Sequence, residues 1–138
     1  VRGLVERSRF TPLADADPYG SGMRIRLQQI VIDSREPARL VRFWAALLGG
    51  EPVDRPDGWA YVVPPGFPAL TFQLVPEAKA GKNRLHLDLE VDPGEIPAAV
   101  ARATELGATP VGGLVVDESG RFHVLTDPDG NEFCFVSD

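Results

Sequence analysis

The sequence predicts an α+β fold built from two paired βαβββ modules in a single chain. Residues 84–91 (Arg-Leu-His-Leu-Asp-Leu-Glu-Val) alternate apolar and polar without a fault, the period of a strand. The order strand, helix, three strands occurs twice between residues 23 and 138. The segment Leu48-Gly49-Gly50-Glu51-Pro52-Val53 also matches Leu106-Gly107-Ala108-Thr109-Pro110-Val111 at four of six positions, 58 residues further on. Each copy sits just past a helix, which marks an internal duplication.

The elements follow in order. Residues 1–22 mix charge with Pro12, Pro18 and Gly20 and hold no period, so they are expected to be an extension. Residues 26–33 read as the first strand of module one (23–76). Pro37 suits a helix start, where its missing N–H costs nothing. Leu40, Val41, Phe43, Trp44, Leu47 and Leu48 then recur at helical spacing up to Gly49. Three short strands are expected near 51–55, 59–63 and 69–75, separated by Pro56-Asp57-Gly58 and Pro64-Pro65-Gly66. Residues 77–83 form a polar linker. Module two (84–138) opens on the alternating strand 84–91, continues through a helix near 95–106, and ends in strands near 108–116, 121–126 and 132–136.

Composition narrows the function. A chain of 138 residues with 43% apolar and 25% charged side chains is of ordinary globular make-up, long enough for one core. The net charge of −6 opposes nucleic acid and anionic membranes and favours neutral or cationic small molecules. No apolar run reaches transmembrane length. The lone Cys134 permits no internal disulfide, which fits a cytoplasmic, reducing setting.

Three stretches carry a family resemblance. The first runs from Ile32-Asp33 through Glu36-Pro37-Ala38-Arg39-Leu40 to Phe43-Trp44 and Leu48-Gly49. The second is Leu85-His86-Leu87-Asp88-Leu89, and the third Asp127-Pro128-Asp129-Gly130-Asn131-Glu132-Phe133. Together they resemble the vicinal oxygen chelate superfamily of glyoxalases, bleomycin-resistance proteins and ring-cleavage dioxygenases, in its glyoxalase-like subgroup of mostly unassigned function. The resemblance implies curved mixed sheets around one cleft with the helices outside, so that His86, Asp88 and Glu90 look inward. It also implies a homodimer and a small-molecule ligand.

Metal-dependent members of that superfamily use four residues, usually His or Glu. Carried over, the positions are Gln29 (seven before Glu36), Gln73, His86 and Cys134 (three after Asn131). Two neutral amides, one imidazole and one thiol form a weak set for a hard ion, and zinc would need a third strong ligand. The expectation is therefore no resident cofactor, with a divalent metal as the lesser alternative.

His86 and Asp88 remain as the catalytic candidates, a histidine beside a carboxylate being able to move protons near neutral pH. An isolated histidine is most simply a satisfied side chain; the flanking carboxylates favour contact with a ligand. Gln29, Gln73, Glu90, Cys134 and Trp59 are the candidate ligand-binding residues. Tyr61 and Phe67 either wall the cleft or pack in the core, and the face occupied by His123 stays open. Asp127-Pro128-Asp129-Gly130 suits a type I turn. The residues leave two functions open: a lyase or isomerase acting on a small oxygenated substrate, or a protein that sequesters a drug or metabolite.

Overall fold

A computed structural model describes Gly22 and residues 25–138. The extension expected over 1–22 lies, Gly22 apart, outside the described residues. The elements are β1 (Gln29–Ser34), α1 (Pro37–Leu48), β2 (Val53–Asp54), β3 (Ala60–Val62), β4 (Ala69–Leu74), β5 (Leu87–Glu90), α2 (Ile96–Leu106), β6 (Thr109–Asp117), β7 (Gly120–Thr126) and β8 (Glu132–Ser137). They form two four-stranded sheets with orders β1-β4-β3-β2 and β5-β8-β7-β6. In each, the first strand pairs parallel to the last and the remaining pairs are antiparallel. Both halves are thus the same βαβββ unit, as the duplicated segment predicts.

The helices form where apolar spacing and end signals agree. Pro37 stands in the first turn of α1, and Leu40, Val41, Phe43 and Trp44 are buried on one stripe. Gly49 ends it at a φ of 92°, a conformation that a side chain disfavours. α2 ends at Gly107 with φ 118°, and the Ala108 amide donates back to the Ala103 carbonyl at 2.9 Å. That back-bond satisfies a carbonyl the helix end would otherwise leave unpaired.

Strand ends depart from the sequence reading in several places, β2 and β3 shortening to Val53–Asp54 and Ala60–Val62. β1 starts at Gln29 rather than Arg26. β6 and β7 run further toward their shared turn at Asp117–Gly120. The alternating run 84–91 pairs only over Leu87–Glu90, and Leu85, expected on the buried face, is 72% exposed. Upstream of Leu87 the chain bonds to a side chain instead of a ladder: the Asn83 amide donates to the Glu132 carboxylate at 3.0 Å. Alternation alone could not show where the partner strand stops.

One core joins the halves. Leu40, Val41, Phe43 and Trp44 of α1 share it with Leu70 and Phe72 of β4 and with Leu89, Phe133 and Phe135 of the second sheet. Trp44 and Phe133 pack edge to face at 5.0 Å between ring centres, a geometry that aromatic quadrupoles favour. The Asp127–Asn131 turn completes the join. The buried Asp127 carboxylate accepts the Trp44 indole N–H at 3.2 Å, and the Ser34 hydroxyl at the end of β1 donates to Asp129. The Gly130 amide closes the turn on the Asp127 carbonyl at 2.9 Å, as expected of a type I turn.

Candidate functional site

Strand alternation sorts the second sheet into two faces. Leu87 and Leu89 of β5 pair with Phe133 and Phe135 of β8 on the core side. Asp88 stands directly across from Cys134 on the opposite face. His86, one residue before β5, turns its Nδ1 to within 2.9 Å of Asp88 Oδ1. The donor atoms of His86, Asp88 and Cys134 all lie within 4.8 Å of one another. Above them opens a hollow of about 980 Å³. Phe122, Val124 and Val136 contribute apolar surface to it, and Glu90, Lys82 and Arg121 bring charge.

The surroundings act on the Cys134 thiol. The Cys134 thiol is pushed up from its ordinary range, first by burial and then by the Asp88 charge and a hydrogen bond to that carboxylate. Cys134 is thus a protonated thiol rather than a nucleophilic thiolate. The His86–Asp88 contact fixes which imidazole nitrogen faces the carboxylate and leaves Nε2 for the hollow. Both side chains keep about half their surface exposed, at 45% and 53%.

The first sheet arranges its own polar face. The Thr71 hydroxyl donates to the Gln29 amide oxygen at 2.7 Å. Gln73 lies two residues along β4 on the same face. Neither glutamine lines the hollow over His86, whose wall comes entirely from residues 82 to 138. Trp59 sits just before β3, half-buried, with the Arg55 guanidinium 5.9 Å over its ring. Tyr61 is buried at the sheet surface and Phe67 is 39% exposed in a loop, so neither joins His86 in the hollow. His123 pairs with Phe135 on the core-facing side of the sheet, and its Nε2 contacts the Gly112 carbonyl at 3.2 Å. It does not line the hollow.

Sequence reasoning grouped His86 with Asp88 but missed that Asp88 faces Cys134. The signal lay in register: β5 and β8 run parallel, so their polar positions meet pairwise. The same alternation in β7 and β8 places Phe122, Val124 and Val136 in the hollow.

The four positions that bind metal in the superfamily do not assemble into a fitting set here. Two are neutral amides on the first sheet, one already engaged by Thr71, and the other two stand on the second sheet. No chemical step is derived through that four-residue set.

The paired βαβββ units and the polar sheet face define a class, the vicinal oxygen chelate architecture. A family model described as a glyoxalase-like domain matches residues 29–136, and the chain belongs to that family. A search of curated proteins finds no match. Among solved structures, the chain is similar to a glyoxalase/bleomycin resistance protein/dioxygenase family enzyme from Burkholderia phytofirmans PsJN. That pair shares 19% identity and a TM-score of 0.68, over 79% of this chain and 95% of the other. It is also similar to the fosfomycin resistance protein FosX from Mesorhizobium loti, at 17% identity and TM-score 0.66, over 84% and 94%. The oxidase ChaP-H2 aligns at 19% identity and TM-score 0.64, over 84% and 95%. At these identities the likeness is one of fold.

Proposed function

We propose that this chain binds a small oxygenated molecule over the second sheet and acts on it as a lyase or isomerase, with His86 and Asp88 handling the proton. The observation that carries this reading is the 2.9 Å His86–Asp88 contact at the floor of a hollow large enough for a drug-sized ligand. In the proposed roles, Asp88 orients the imidazole and His86 Nε2 takes or gives the proton. Glu90 and Cys134 contact the ligand beside them; Gln29, Gln73 and Trp59 lie outside this hollow and serve it from the first module of a second copy. The working unit is a homodimer of the 23–138 domain in the cytoplasm.

A second reading is sequestration without chemistry, in the manner of bleomycin-resistance proteins. The apolar patch of Phe122, Val124 and Val136 among carboxylates favours it, since it suits an apolar body carrying a positive charge. One experiment separates the two. Fosfomycin, bleomycin and a set of small α-hydroxycarbonyl compounds are incubated with the protein and recovered for mass spectrometry. Catalysis predicts a converted compound and loss of conversion in His86→Ala at an unchanged melting temperature. Recovery of every bound compound unaltered favours sequestration, and a large stability loss in the variant marks His86 as structural.

A further inference from the structure

A second hollow, apart from the one over His86, opens at the seam between the modules, with a volume of about 800 Å³. Its walls come from the β1–α1 junction, from the linker that leaves β4, and from the turn between β7 and β8. None of the four positions carried over from the superfamily's metal set lies in it. We propose that this hollow binds a small zwitterion with two cationic groups and one carboxylate, the charge pattern of a dibasic amino acid.

The floor of this hollow is fixed by bonds between the modules. Ser34 is 2% exposed; its hydroxyl donates to Asp129 and accepts the Glu36 amide at 3.0 Å. Its carbonyl accepts the Val75 amide at 2.9 Å, which ties the start of the linker to the end of β1. The Asp129 and Asn131 amides are held in turn by the buried Asp127 carboxylate, both at 2.9 Å.

The charges around that floor are only partly matched. Arg39 is paired with Glu36 at 2.9 Å and Lys79 with Glu132 at 3.3 Å. Asp33, Arg35 and Glu77 also line the hollow, and among the described residues none of their side chains has a hydrogen bond or an ion pair. One free guanidinium and two free carboxylates on one space are complemented by one anionic and two cationic groups. The planar fork of Arg35 suits a carboxylate, while Asp33 and Glu77 accept ammonium or guanidinium protons. Val31 and Val75 give apolar surface for the methylenes between the charged ends. The excess of one negative charge over these three groups favours a net cation over a neutral amino acid.

The inference goes beyond the proton-handling reading, and the two fail separately. The full chain is titrated by calorimetry with L-lysine and with L-arginine, and with two controls: cadaverine, which lacks the carboxylate, and L-norleucine, which lacks the second amine. The expected result is one saturable site per chain for a dibasic amino acid, with both controls weaker by about 10-fold or more. Arg35→Gln should lower the amino-acid affinity by about 10-fold or more and leave cadaverine unchanged, because only the carboxylate partner is lost. Asp33→Asn should weaken amino acid and cadaverine alike. Both residues are exposed, and circular dichroism checks that the variants are folded. If they are not, the two controls on the wild type decide. His86→Ala should bind the dibasic amino acid as the wild type does. The site is overturned by the absence of saturable binding, by cadaverine binding as tightly as L-lysine, by a folded Arg35→Gln of unchanged affinity, or by loss of binding in His86→Ala. Ligand conversion over His86 without this site would sink only this inference, and the site without any ligand over His86 would sink only the earlier reading.

Discussion

Two aspartates in this protein are positioned for different work. Asp88 is half-exposed beside His86, where a ligand can reach it. Asp127 is 3% exposed and surrounded by donors: the Asp129 and Asn131 amides at 2.9 Å, the Asn131 side chain and the Trp44 indole. Burial raises the Asp127 pKa and outweighs those hydrogen bonds, which lower it. The folded state therefore holds a proton more readily than the unfolded chain. Its contribution to stability grows as pH falls through the raised folded value toward the ordinary value of 3.8. Asp127→Asn cannot titrate, and it turns an amide N–H toward the Trp44 and Asn131 donors. It should cost about 1–3 kcal/mol at neutral pH. Melting curves of both proteins from pH 7 to pH 4 should show the gap widening toward acid; a gap that closes would contradict the assignment. The turn role of Asp127 is legible from Asp-Pro-Asp-Gly, because turn chemistry is local. Its partnership with Trp44 joins residues 83 apart, and no local pattern encodes it.

Elements repeat the division between local and distant information. Helix α1 occupies the residues that the spacing of Leu40, Val41, Phe43 and Trp44 assigns to it, since its period and both end signals lie within the segment. The alternation predicts a strand over 84–91 and the ladder covers only Leu87–Glu90, because strand length depends on β8, some 45 residues later. The β6–β7 hairpin depends on one backbone position. At Gly120, φ is 128°, and a Cβ would stand 2.5 Å from the Ser137 carbonyl oxygen. Gly120→Ala should cost at least the roughly 1–3 kcal/mol of a strained backbone. Gly113 has open space around it and no positive φ, so Gly113→Ala should be neutral or gain about 0.4–1 kcal/mol through the unfolded chain. Urea denaturation of the pair reads the contrast, and equal stabilities would refute the local account.

The whole molecule leaves one surface unfinished. All nine residues of β6 are exposed, and it forms an outer edge of its sheet. Val111, Leu114, Val115 and Val116 are each at least 41% exposed there. Proteins blunt such edges with charge, and Asp117 at the end is the single charge on this strand. Pro110 removes one backbone donor but covers none of the apolar side chains. The hollow over His86 likewise takes its wall from the second module and the linker residue Lys82, while the Gln29–Thr71 face lies outside it. A second copy covering β6 would answer the first problem and could bring a polar face to the second, which is why the homodimer is the proposed working unit. Sedimentation equilibrium should give about twice the chain mass of 14.9 kDa. The double variant Leu114→Asp, Val116→Asp should sediment as a monomer with unchanged circular dichroism and weaker ligand binding than the wild type. Monomeric wild type at micromolar concentration would remove the dimer from the account, leaving the second sheet to bind its ligand alone.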